Sequence, residues 1–304
     1  MTYNVRYFSH AIKGLSSTQK GIRWIAEAVA GLEERPDVLC LQEVESRSMR
    51  SRPPRAKGLN GQTQLDAFMG ALEGALERNG RPERYDGHYF PAHAYRLGPA
   101  RFYTTGLAFV VRRGIRLDPA VALEPHEITH RRFRATGRLK QSRICAHLRF
   151  LDEADRSWDV FNTHLSLPAF LTKRLWASEG RMGWGENQLM ELDTLADYVE
   201  SRAASDRFLV VGDFNALPGS SVYDRLAERL GAHDAFARSR DLGPDELRRT
   251  WPTCGFLHYR MRLDHVFAGS GAHEASFEGT HRFGDPAGHW HGLSDHVPIV
   301  GRFD

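Results

Sequence analysis

The sequence predicts a mixed α/β fold, in one domain that spans all 304 residues. Short apolar runs typical of buried strands alternate with longer segments of helical periodicity along the whole chain. No linker, internal repeat or low-complexity stretch divides them. The composition, with 41% hydrophobic and 26% charged residues, is typical of a globular protein with a sizeable core. We therefore expect a single unit over 1–304.

The first elements follow from capping residues and apolar spacing. A strand over 2–8 leads to a helix over 17–31, which begins at a capping hydroxyl residue and has an apolar face. The apolar run 38–41 is short enough for a buried strand. After a polar loop, apolar residues at helical spacing predict a second helix over 62–78.

The alternation continues through the rest of the chain. Runs of β-branched and aromatic residues predict strands, and longer periodic segments predict helices. In order, the expected elements are strands over 106–112, 144–151 and 159–164, a helix over 186–202, a strand over 208–211, a helix over 220–230, and strands over 263–267 and 297–303.

Charge, cysteines and hydropathy narrow the class of protein. A formal net charge of +3 is too small to direct the chain onto nucleic acid by itself. The three cysteines, Cys40, Cys145 and Cys254, are odd in number and widely spaced, which predicts buried thiols and no disulfide framework. No run approaches the ~18 apolar residues of a membrane span. We expect a cytoplasmic location, with a removed secretion signal as the alternative.

Polar side chains suited to metal or proton chemistry stand at the ends of several predicted strands. They lie in the motifs TYNV, LQEV, FNTHL, GDFN, RLDHVF and SDHVPIV. Any single motif has a simpler explanation, because Asp and Asn after a strand usually form a turn. Their conjunction in one expected domain indicates a shared site. The residues are Asn4, Glu43, Asn162, His164, Asp213, Asn215, Asp264, His265, Asp295 and His296.

This set of side chains suits hydrolysis of a phosphate ester. The transition state gathers negative charge on phosphate oxygens, which a hard divalent cation stabilises. Oxygen ligands such as Glu43 and Asp295 favour Mg²⁺ or Mn²⁺, and no Cys/His cluster suggests structural zinc. An imidazole paired with a carboxylate can take a proton from water near neutral pH.

The order of the motifs, QE followed by GDFN, LDH and SDHxP, resembles the endonuclease/exonuclease/phosphatase superfamily. That superfamily includes pancreatic deoxyribonuclease, apurinic endonucleases of the exonuclease III type, neutral sphingomyelinases and inositol polyphosphate 5-phosphatases. The resemblance extends from Thr2 to Val300. It implies a deoxyribonuclease-I-like fold: a four-layer α/β/β/α sandwich of two mostly antiparallel sheets.

The resemblance also implies a metal site. Glu43 would be the principal ligand, with Asn4 beside it and Asp295 contributing from the last motif. The implied ion is Mg²⁺ or Mn²⁺, with a second divalent ion as an alternative.

Catalytic roles are carried over in the same way. His296 would be the general base, oriented by Asp264. Asp213 and Asn215 would position the nucleophile and the phosphate, and His164 would bind the scissile phosphate or act on the leaving-group side.

Three segments are candidates for choosing the substrate. The loop after Glu43 carries five basic residues between 47 and 57, which could contact a polyanion or simply face solvent. The basic stretch 130–143 is expected to be a solvated face unless it lies at the mouth of the site. The connection after His164 mixes aromatics with cations, as in base-stacking or membrane-seating loops, and a packed lid is the simpler alternative. The expected substrate-binding residues are Asn162, which would support His164, and Arg174, Trp176 and Arg181.

Three functional hypotheses follow. The first is a monomeric, Mg²⁺- or Mn²⁺-dependent phosphodiesterase acting on nucleic acid. The second is a lipid or small-molecule phosphoesterase, like a sphingomyelinase or an inositol phosphatase. It draws on the Trp-bearing connection and on residues 102–106, which lack the acid that pairs with the third-motif histidine in pancreatic deoxyribonuclease. The third, an inactive scaffold on this fold, is disfavoured because the motif residues are intact.

Overall fold

The computed structural model describes residues 1–8, 14–48, 63–97, 100–129, 142–152, 155–168, 182–256 and 258–304. Two β-sheets dominate these residues and lie face to face, with helices against the outer face of each. The first sheet has the strand order β1-β2-β4-β3, in which β1 and β2 run parallel and the other neighbours run antiparallel. Its strands are β1 (Thr2–Asn4), β2 (Val38–Ser48), β3 (Tyr85–Leu97) and β4 (Ala100–Arg112).

The second sheet is wider and also mixed. Its order is β10-β13-β9-β8-β7-β5, with β6 on β7, and β8 and β9 are its parallel pair. The strands are β5 (Arg116–Leu117), β6 (His126–Glu127), β7 (Ile144–Leu151), β8 (Ser157–His164), β9 (Phe208–Asp213), β10 (His233–Asp234) and β13 (Asp264–Ala268). Two small two-stranded antiparallel sheets pair β11 (Cys254–Phe256) with β12 (Tyr259–Met261), and β14 (Glu274–Ser276) with β15 (Arg302–Phe303).

Six helices complete the described elements, and local chemistry defines several of their ends. Thr63 caps the second helix in a reciprocal capping box with Asp66. Ser220 caps the fourth, which ends at Gly231 in a left-handed conformation. The helices are α1 (Gly14–Ala30), α2 (Gln64–Arg78), α3 (Glu186–Arg202), α4 (Ser221–Leu230), α5 (Ala235–Ser239) and α6 (Pro244–Thr250).

Apolar side chains fill three layers between these elements. Ile25 of α1 and Phe68 of α2 pack on the outer face of the first sheet. Phe109 of β4 and Val160 of β8 belong to the core between the sheets. Leu192 of α3 packs on the outer face of the second sheet. The layers therefore run helix, sheet, sheet, helix, which confirms the fold predicted from the motifs.

Several predicted elements differ from the structure. The first strand ends at Asn4, because Arg6–Phe8 form a turn with positive φ. The strand β3 was not predicted, and β4 begins earlier than expected. The last expected strand, over 297–303, is reduced to β15 and an isolated bridge at Ile299. Pro298 lies within that segment and has no N–H to donate to a ladder.

The expectation for the cysteines is confirmed. All three cysteines are free and buried. In the described part of the chain, no helix is both long and apolar enough to cross a membrane.

Candidate active site

Strand pairing brings the predicted site residues together. Asp213 stands at the end of β9, opposite His164 of β8 and opposite Asp264 of β13. In the other sheet, Asn4 ends β1 beside the segment of β2 that holds Glu43. The site therefore lies where the strand ends of the two sheets meet.

A β-bulge directs Glu43 toward this meeting point. The register of β2 against β4 shifts between Leu41 and Val44, and Glu43 has a φ of 57°. That conformation is rare for a residue with a side chain, and bulges commonly redirect a side chain next to an active site. The Glu43 carboxylate comes within 3.3 Å of the Asn4 amide nitrogen and 4.0 Å of His164 Nε2.

The turn after β1 is a strained piece of backbone. Arg6, Tyr7 and Phe8 have φ values of 41°, 57° and 53°, and each such residue costs about 1–3 kcal/mol unless its surroundings enforce it. The buried Phe8 ring packs on Phe68 with centroids 5.3 Å apart. Helix α1 approaches so closely at Gly21 that a Cβ there would lie 2.1 Å from the Phe8 carbonyl oxygen. Packing therefore enforces the turn.

The strained turn orients two site residues. The Arg6 backbone N–H donates to Asn4 Oδ1 at 3.0 Å, so the Asn4 NH₂ group faces Glu43 and Asp213. The Arg6 guanidinium forms an ion pair with Asp295 Oδ2 at 2.5 Å. The Asn4 side-chain oxygen thus faces the backbone N–H of Arg6. Direct metal ligation by this oxygen would require the amide group to rotate by about half a turn.

The structure explains why Gly212, Asp213 and Asn215 occur in the GDFN motif. Gly212 has a φ of 140°, and a Cβ there would lie 2.0 Å from the Thr163 carbonyl oxygen, so only glycine fits. Asp213 Oδ1 accepts the Asn215 N–H at 2.9 Å. The Asn215 amide donates to the Leu165 carbonyl at 2.9 Å and lies 3.3 Å from His164 Nε2. The motif therefore fixes a carboxylate and an amide beside an imidazole.

Asp264 and His296 form a buried pair, with His296 Nδ1 2.8 Å from Asp264 Oδ2. The Asp264 N–H is held by Thr253 Oγ1, and the His296 N–H by Ser294 Oγ. The other ring nitrogen, Nε2, lies 3.9 Å from Asp213 Oδ2. The pair therefore presents an imidazole edge to Asp213.

The electrostatics of the site set the two histidines apart. Burial alone would lower the pKa of His296, but the charges of Asp264 and Asp213 and the hydrogen bond to Asp264 raise that pKa to about 10. Burial, and then Arg143 and His296, hold the pKa of His164 well below its usual value. Burial and the neighbouring Asp264 raise the pKa of Asp213 to about 7. Near neutral pH and with no cation bound, these shifts leave His296 protonated and His164 neutral.

The donor set fits a divalent cation. Ligand atoms of Asp213, Asp264 and His296 lie within 4.8 Å of one another, and the Asn4 amide joins Glu43 to Asp213. The buried Asp264 Oδ1 has no hydrogen-bond partner among the described residues. Crowded, incompletely paired carboxylate oxygens are the environment that Mg²⁺ and Mn²⁺ occupy in proteins.

Most of the predicted site residues converge, and the others lie elsewhere. Asn4, Glu43, His164, Asp213, Asn215, Asp264 and His296 are linked by the contacts above, and Asp295 adjoins them through Arg6 and Ser294. Arg174, Trp176 and Arg181 lie outside the described residues, as do most of the two basic stretches.

Asn162 does not face the site. Its side chain is fully buried and donates to the carbonyl oxygens of Leu41 and Ala108. Its oxygen accepts from Gln42 Nε2 at 2.8 Å. The expectation that Asn162 contacts substrate therefore differs from its observed place, which is a polar link between the two sheets.

His265, the other residue of its motif, supports the loop after Asn215. Its Nε2 lies 2.8 Å from the Ala216 carbonyl, and its Nδ1 lies 3.1 Å from Asp234. Sequence reasoning gave His265 no separate role and missed Arg6, and it named Arg143 only as part of the basic stretch 130–143. Arg6 follows TYNV by one residue, which is the only signal that could have marked it.

Comparisons with known proteins agree with this fold. The chain matches the sequence model described as the Endonuclease/Exonuclease/phosphatase family over residues 1–296. No curated protein sequence matches it. Among solved structures, it is similar to an endonuclease/exonuclease/phosphatase from Beutenbergia cavernae, with 17% identity and a TM-score of 0.59, covering 99% of this chain and 69% of that one.

Two further solved structures carry names that describe an activity. One is ANGEL2, a 2′,3′-cyclic phosphatase in complex with adenosine-2′,3′-vanadate, with 16% identity, a TM-score of 0.57, and coverage of 99% of this chain and 94% of that one. The other is a mannosyl-6-phosphatase from Bacteroides thetaiotaomicron, with 15% identity, a TM-score of 0.56, and coverage of 100% and 98%. At these identities the likeness shows a shared fold.

Proposed function

Because the chain belongs to the endonuclease/exonuclease/phosphatase family and is a phosphoesterase-type hydrolase, we propose that it cleaves phosphodiesters of nucleic acid with the help of Mg²⁺ or Mn²⁺. The observation that carries this proposal is the buried Asp264–His296 pair, whose free ring nitrogen faces Asp213 within a group of carboxylates. A carboxylate-bound imidazole beside a cation site is the equipment that water attack on phosphorus requires.

Glu43 and Asp295 would hold the cation, with Asp213 close enough to contribute. A bound divalent ion offsets the charge of the carboxylates and stabilises negative charge on the phosphate oxygens. Glu43 is suited to this role because its bulge conformation places the carboxylate beside Asn4 and His164. The charges of Asp264 and Asp213 that raise the pKa of His296 are the charges such an ion would offset.

His296 is the proposed general base. Asp264 occupies Nδ1 and therefore fixes the tautomer. With a cation offsetting the carboxylate charges, the ring would be neutral, and Nε2 would then take a proton from the attacking water. Asp264 then stabilises the imidazolium that results. Asp213 and Asn215 lie on the same side as Nε2 and orient the water and the phosphate.

His164 is proposed to contact the phosphate from the opposite side. Its Nε2 lies 3.5 Å from Asp213 Oδ2 and 3.3 Å from the Asn215 amide nitrogen. Its lowered pKa keeps the ring neutral, so it acts through a hydrogen bond without adding a positive charge.

A specific observation supports a second candidate, a phosphomonoesterase for a small molecule. The mannosyl-6-phosphatase has the same fold over the full chain. ANGEL2, by contrast, is described as a 2′,3′-cyclic phosphatase, and its structure is a complex with adenosine-2′,3′-vanadate. The cations Arg6 and Arg143 near the site suit either class of anion. Only a comparison of substrates therefore distinguishes the two candidate functions.

A substrate panel tests the proposal. Bis(p-nitrophenyl) phosphate, oligonucleotides, plasmid DNA, sphingomyelin, inositol phosphates and mannose 6-phosphate would be incubated with the protein in Mg²⁺, in Mn²⁺ and in chelator. We expect cleavage of oligonucleotides that requires the cation and falls at least a hundredfold in Glu43→Gln and His296→Ala. Turnover of monoesters alone would favour the second candidate, and unchanged activity of both variants would refute the site.

We also propose that residues 1–304 act as one domain and as a monomer. Continuous cores between and outside the sheets support the first point. A single cooperative unfolding transition and a monomer mass by light scattering would support both, and two transitions or a dimer mass would contradict them.

A further inference from the structure

Arginines gather around two aromatic rings next to β10, the edge strand of the second sheet. Phe236 of α5 and Trp251, which follows α6, meet edge to face with ring centroids 5.0 Å apart. The guanidinium carbon of Arg240 lies 4.3 Å from the Trp251 centroid and 4.9 Å from that of Phe236. The guanidinium carbon of Arg282 lies 5.2 Å from the Trp251 centroid. Phe236 is buried, whereas the other three reach the surface, and we call Arg240, Trp251 and Arg282 the Trp251 patch.

A third arginine, Arg262, lies behind the Trp251 patch and is fully buried. Its guanidinium carbon lies 4.5 Å from the Phe236 centroid, and its Nη1 donates to the Trp251 carbonyl at 3.2 Å. Its Nε and Nη2 have no hydrogen-bond partner among the described residues. The nearby carboxylate of Asp234 accepts hydrogen bonds from other groups. A buried guanidinium with unsatisfied donors adds uncompensated positive charge behind the patch.

The two exposed arginines of the patch also lack a counter-ion. In the part of the chain that the structure describes, no carboxylate lies within ion-pair distance of Arg240 or Arg282. Arg238, two positions before Arg240, provides a contrast, because its Nε lies 3.2 Å from Glu274 Oε1. Like charges repel, so two guanidinium groups beside one indole ring are best accommodated with an anion bound between them.

The geometry of the patch suits a nucleic-acid strand. A guanidinium whose face lies on a ring directs its N–H groups outward in a planar fork, which phosphate oxygens accept in bidentate fashion. The partly exposed Trp251 ring offers an apolar surface beside these forks. A nucleic-acid strand supplies phosphates for the arginines and bases for the indole, whereas an acidic peptide supplies carboxylates alone.

One short segment joins the patch to the candidate active site. Thr253 comes two positions after Trp251, and its Oγ1 accepts the Asp264 N–H at 3.1 Å. Its carbonyl accepts the N–H of Val297, the residue after His296, at 2.7 Å. Two residues span at most about 7 Å. A strand bound in the active site could therefore continue onto the patch.

We propose that the Trp251 patch is a second binding surface for a nucleic-acid strand and holds backbone phosphates outside the active site. The choice of partner rests on the proposed function, which this inference deepens. The patch would contribute affinity for long strands and take no part in the chemistry at Asp213 and His296. A substrate too short to reach the patch would gain nothing from it.

Binding of an uncleaved strand tests the inference. In a His296→Ala background, fluorescence anisotropy would give the affinity for a labelled single strand of about 20 nucleotides as a function of salt. Combining Arg240→Gln with Arg282→Gln should weaken binding at low salt about ten- to hundredfold and lower the slope of log affinity against log salt by about one to two phosphate contacts. Arg238→Gln is the matched control, because Glu274 already neutralises Arg238, and it should change neither quantity.

Cleavage separates the patch from the chemistry. The double variant should hydrolyse bis(p-nitrophenyl) phosphate at the wild-type rate, since this reporter cannot reach the patch. For the long strand, KM should rise about tenfold or more while kcat is unchanged. A variant with Arg240→Lys and Arg282→Lys keeps the charges and loses the forks, so it should retain the salt slope and lose part of the affinity. Thermal unfolding of each variant confirms that it is folded.

The outcomes distinguish failure of the patch from failure of the proposed function. If the folded double variant keeps the wild-type affinity and salt slope for the strand, the inference is overturned while the proposed function stands. If polyglutamate competes as well as the strand does, the patch is a site for acidic protein segments and the nucleic-acid assignment is overturned. If wild type cleaves no nucleic acid with either cation but binds the strand through the patch, the proposed function fails and the binding surface is supported.

Discussion

Asn4 donates a hydrogen bond of 2.9 Å to Asp213, which joins the edge strand β1 of one sheet to the end of the interior strand β9 of the other at the candidate active site. The two residues are 209 positions apart in the chain. The Gln42–Asn162 hydrogen bond of 2.8 Å makes a second link deeper between the sheets. Because both links are polar and buried, they are sensitive to a change of a single atom.

Asn4→Asp should destabilise the cation-free protein. The substitution replaces an NH₂ donor by a carboxylate oxygen facing Asp213 and Glu43, and we expect a loss of about 1–3 kcal/mol in the free energy of unfolding. Added Mg²⁺ or Mn²⁺ should recover part of it. Denaturant unfolding with and without cation measures both effects. Asn187→Asp, at a partly exposed site in the first turn of α3 away from the site carboxylates, is the control, and equal losses in the two variants would contradict the prediction.

Asp264→Asn should impair catalysis by changing the state of His296. The charge of Asp264 is a principal reason that the pKa of His296 is raised to about 10, so removing it should shift the titration of His296 toward its ordinary range. We expect kcat to fall by about 10²–10⁴-fold. NMR of the histidine ring in cation-free protein follows the titration, and Asp193→Asn on α3 is the control. A His296 titration that does not move would contradict the role given to Asp264.

The sequence allowed the layers of the fold and most of the site to be predicted, for a physical reason. Polar side chains at strand ends mark the end of a sheet where a site can form. The motifs alone were therefore enough to predict that Asp213, Asp264 and His296 belong to the site. Pairing of β9 with β13 then determined their proximity. Interleaved apolar segments likewise sufficed for α1 to α4 and for the central strands, whereas the short helices α5 and α6 were not predicted.

Tertiary context determined what could not be predicted. Arg6 sits in a left-handed turn that no local propensity favours and that packing against Phe8 enforces. The strand β3 includes Pro91 and several polar residues, so its periodicity was weak, and pairing with β4 stabilises it. Asn162 points into the space between the two sheets because of the pairing register of its strand. Neighbouring positions on a strand face opposite sides, so a local sequence pattern could not predict this direction.

A divalent cation should stabilise the folded protein. A ligand that binds only the folded state at a hundred times its Kd contributes about 2.7 kcal/mol, which for a chain of this size corresponds to a rise of several degrees in Tm. We expect this rise with Mg²⁺ or Mn²⁺ in wild type and its loss in Glu43→Gln. Glu34→Gln, an exposed glutamate paired with Arg302, is the control. A Glu43→Gln protein with the wild-type rise would remove Glu43 from the cation site.

Acid should lower the free energy of unfolding, in part because Asp159 becomes protonated. Burial alone would raise the pKa of Asp159, but hydrogen bonds from His147, the Ala204 N–H and Arg149 lower it. A carboxylate with a lower pKa in the folded state stabilises above its unfolded pKa of about 3.9, and this contribution is lost as pH falls through the folded value.

Asp159→Asn should therefore cost about 2–4 kcal/mol near neutral pH and less at pH 3. Denaturant unfolding at both pH values measures the difference. Asp155→Asn is the matched control, because Asp155 is 73% exposed and its pairing with Arg116 is at the surface. A loss in Asp159→Asn that is the same at both pH values would show that the charge of Asp159 plays no part.

Gly212→Ala should be among the most damaging single changes outside the catalytic groups. A Cβ at Gly212 would lie 2.0 Å from the Thr163 carbonyl, and the φ of 140° is unfavourable for alanine. Relief requires β8 and β9 to separate at Thr163 and Gly212, next to the paired His164 and Asp213, so we expect a loss above about 3 kcal/mol. Gly70→Ala on α2 is the opposite case, because a Cβ there meets nothing within 4 Å, and it should stabilise by about 0.5–1 kcal/mol. Thermal unfolding of the two variants compares them directly, and a folded, fully active Gly212→Ala would show that the close approach of the two strands is not needed for the site.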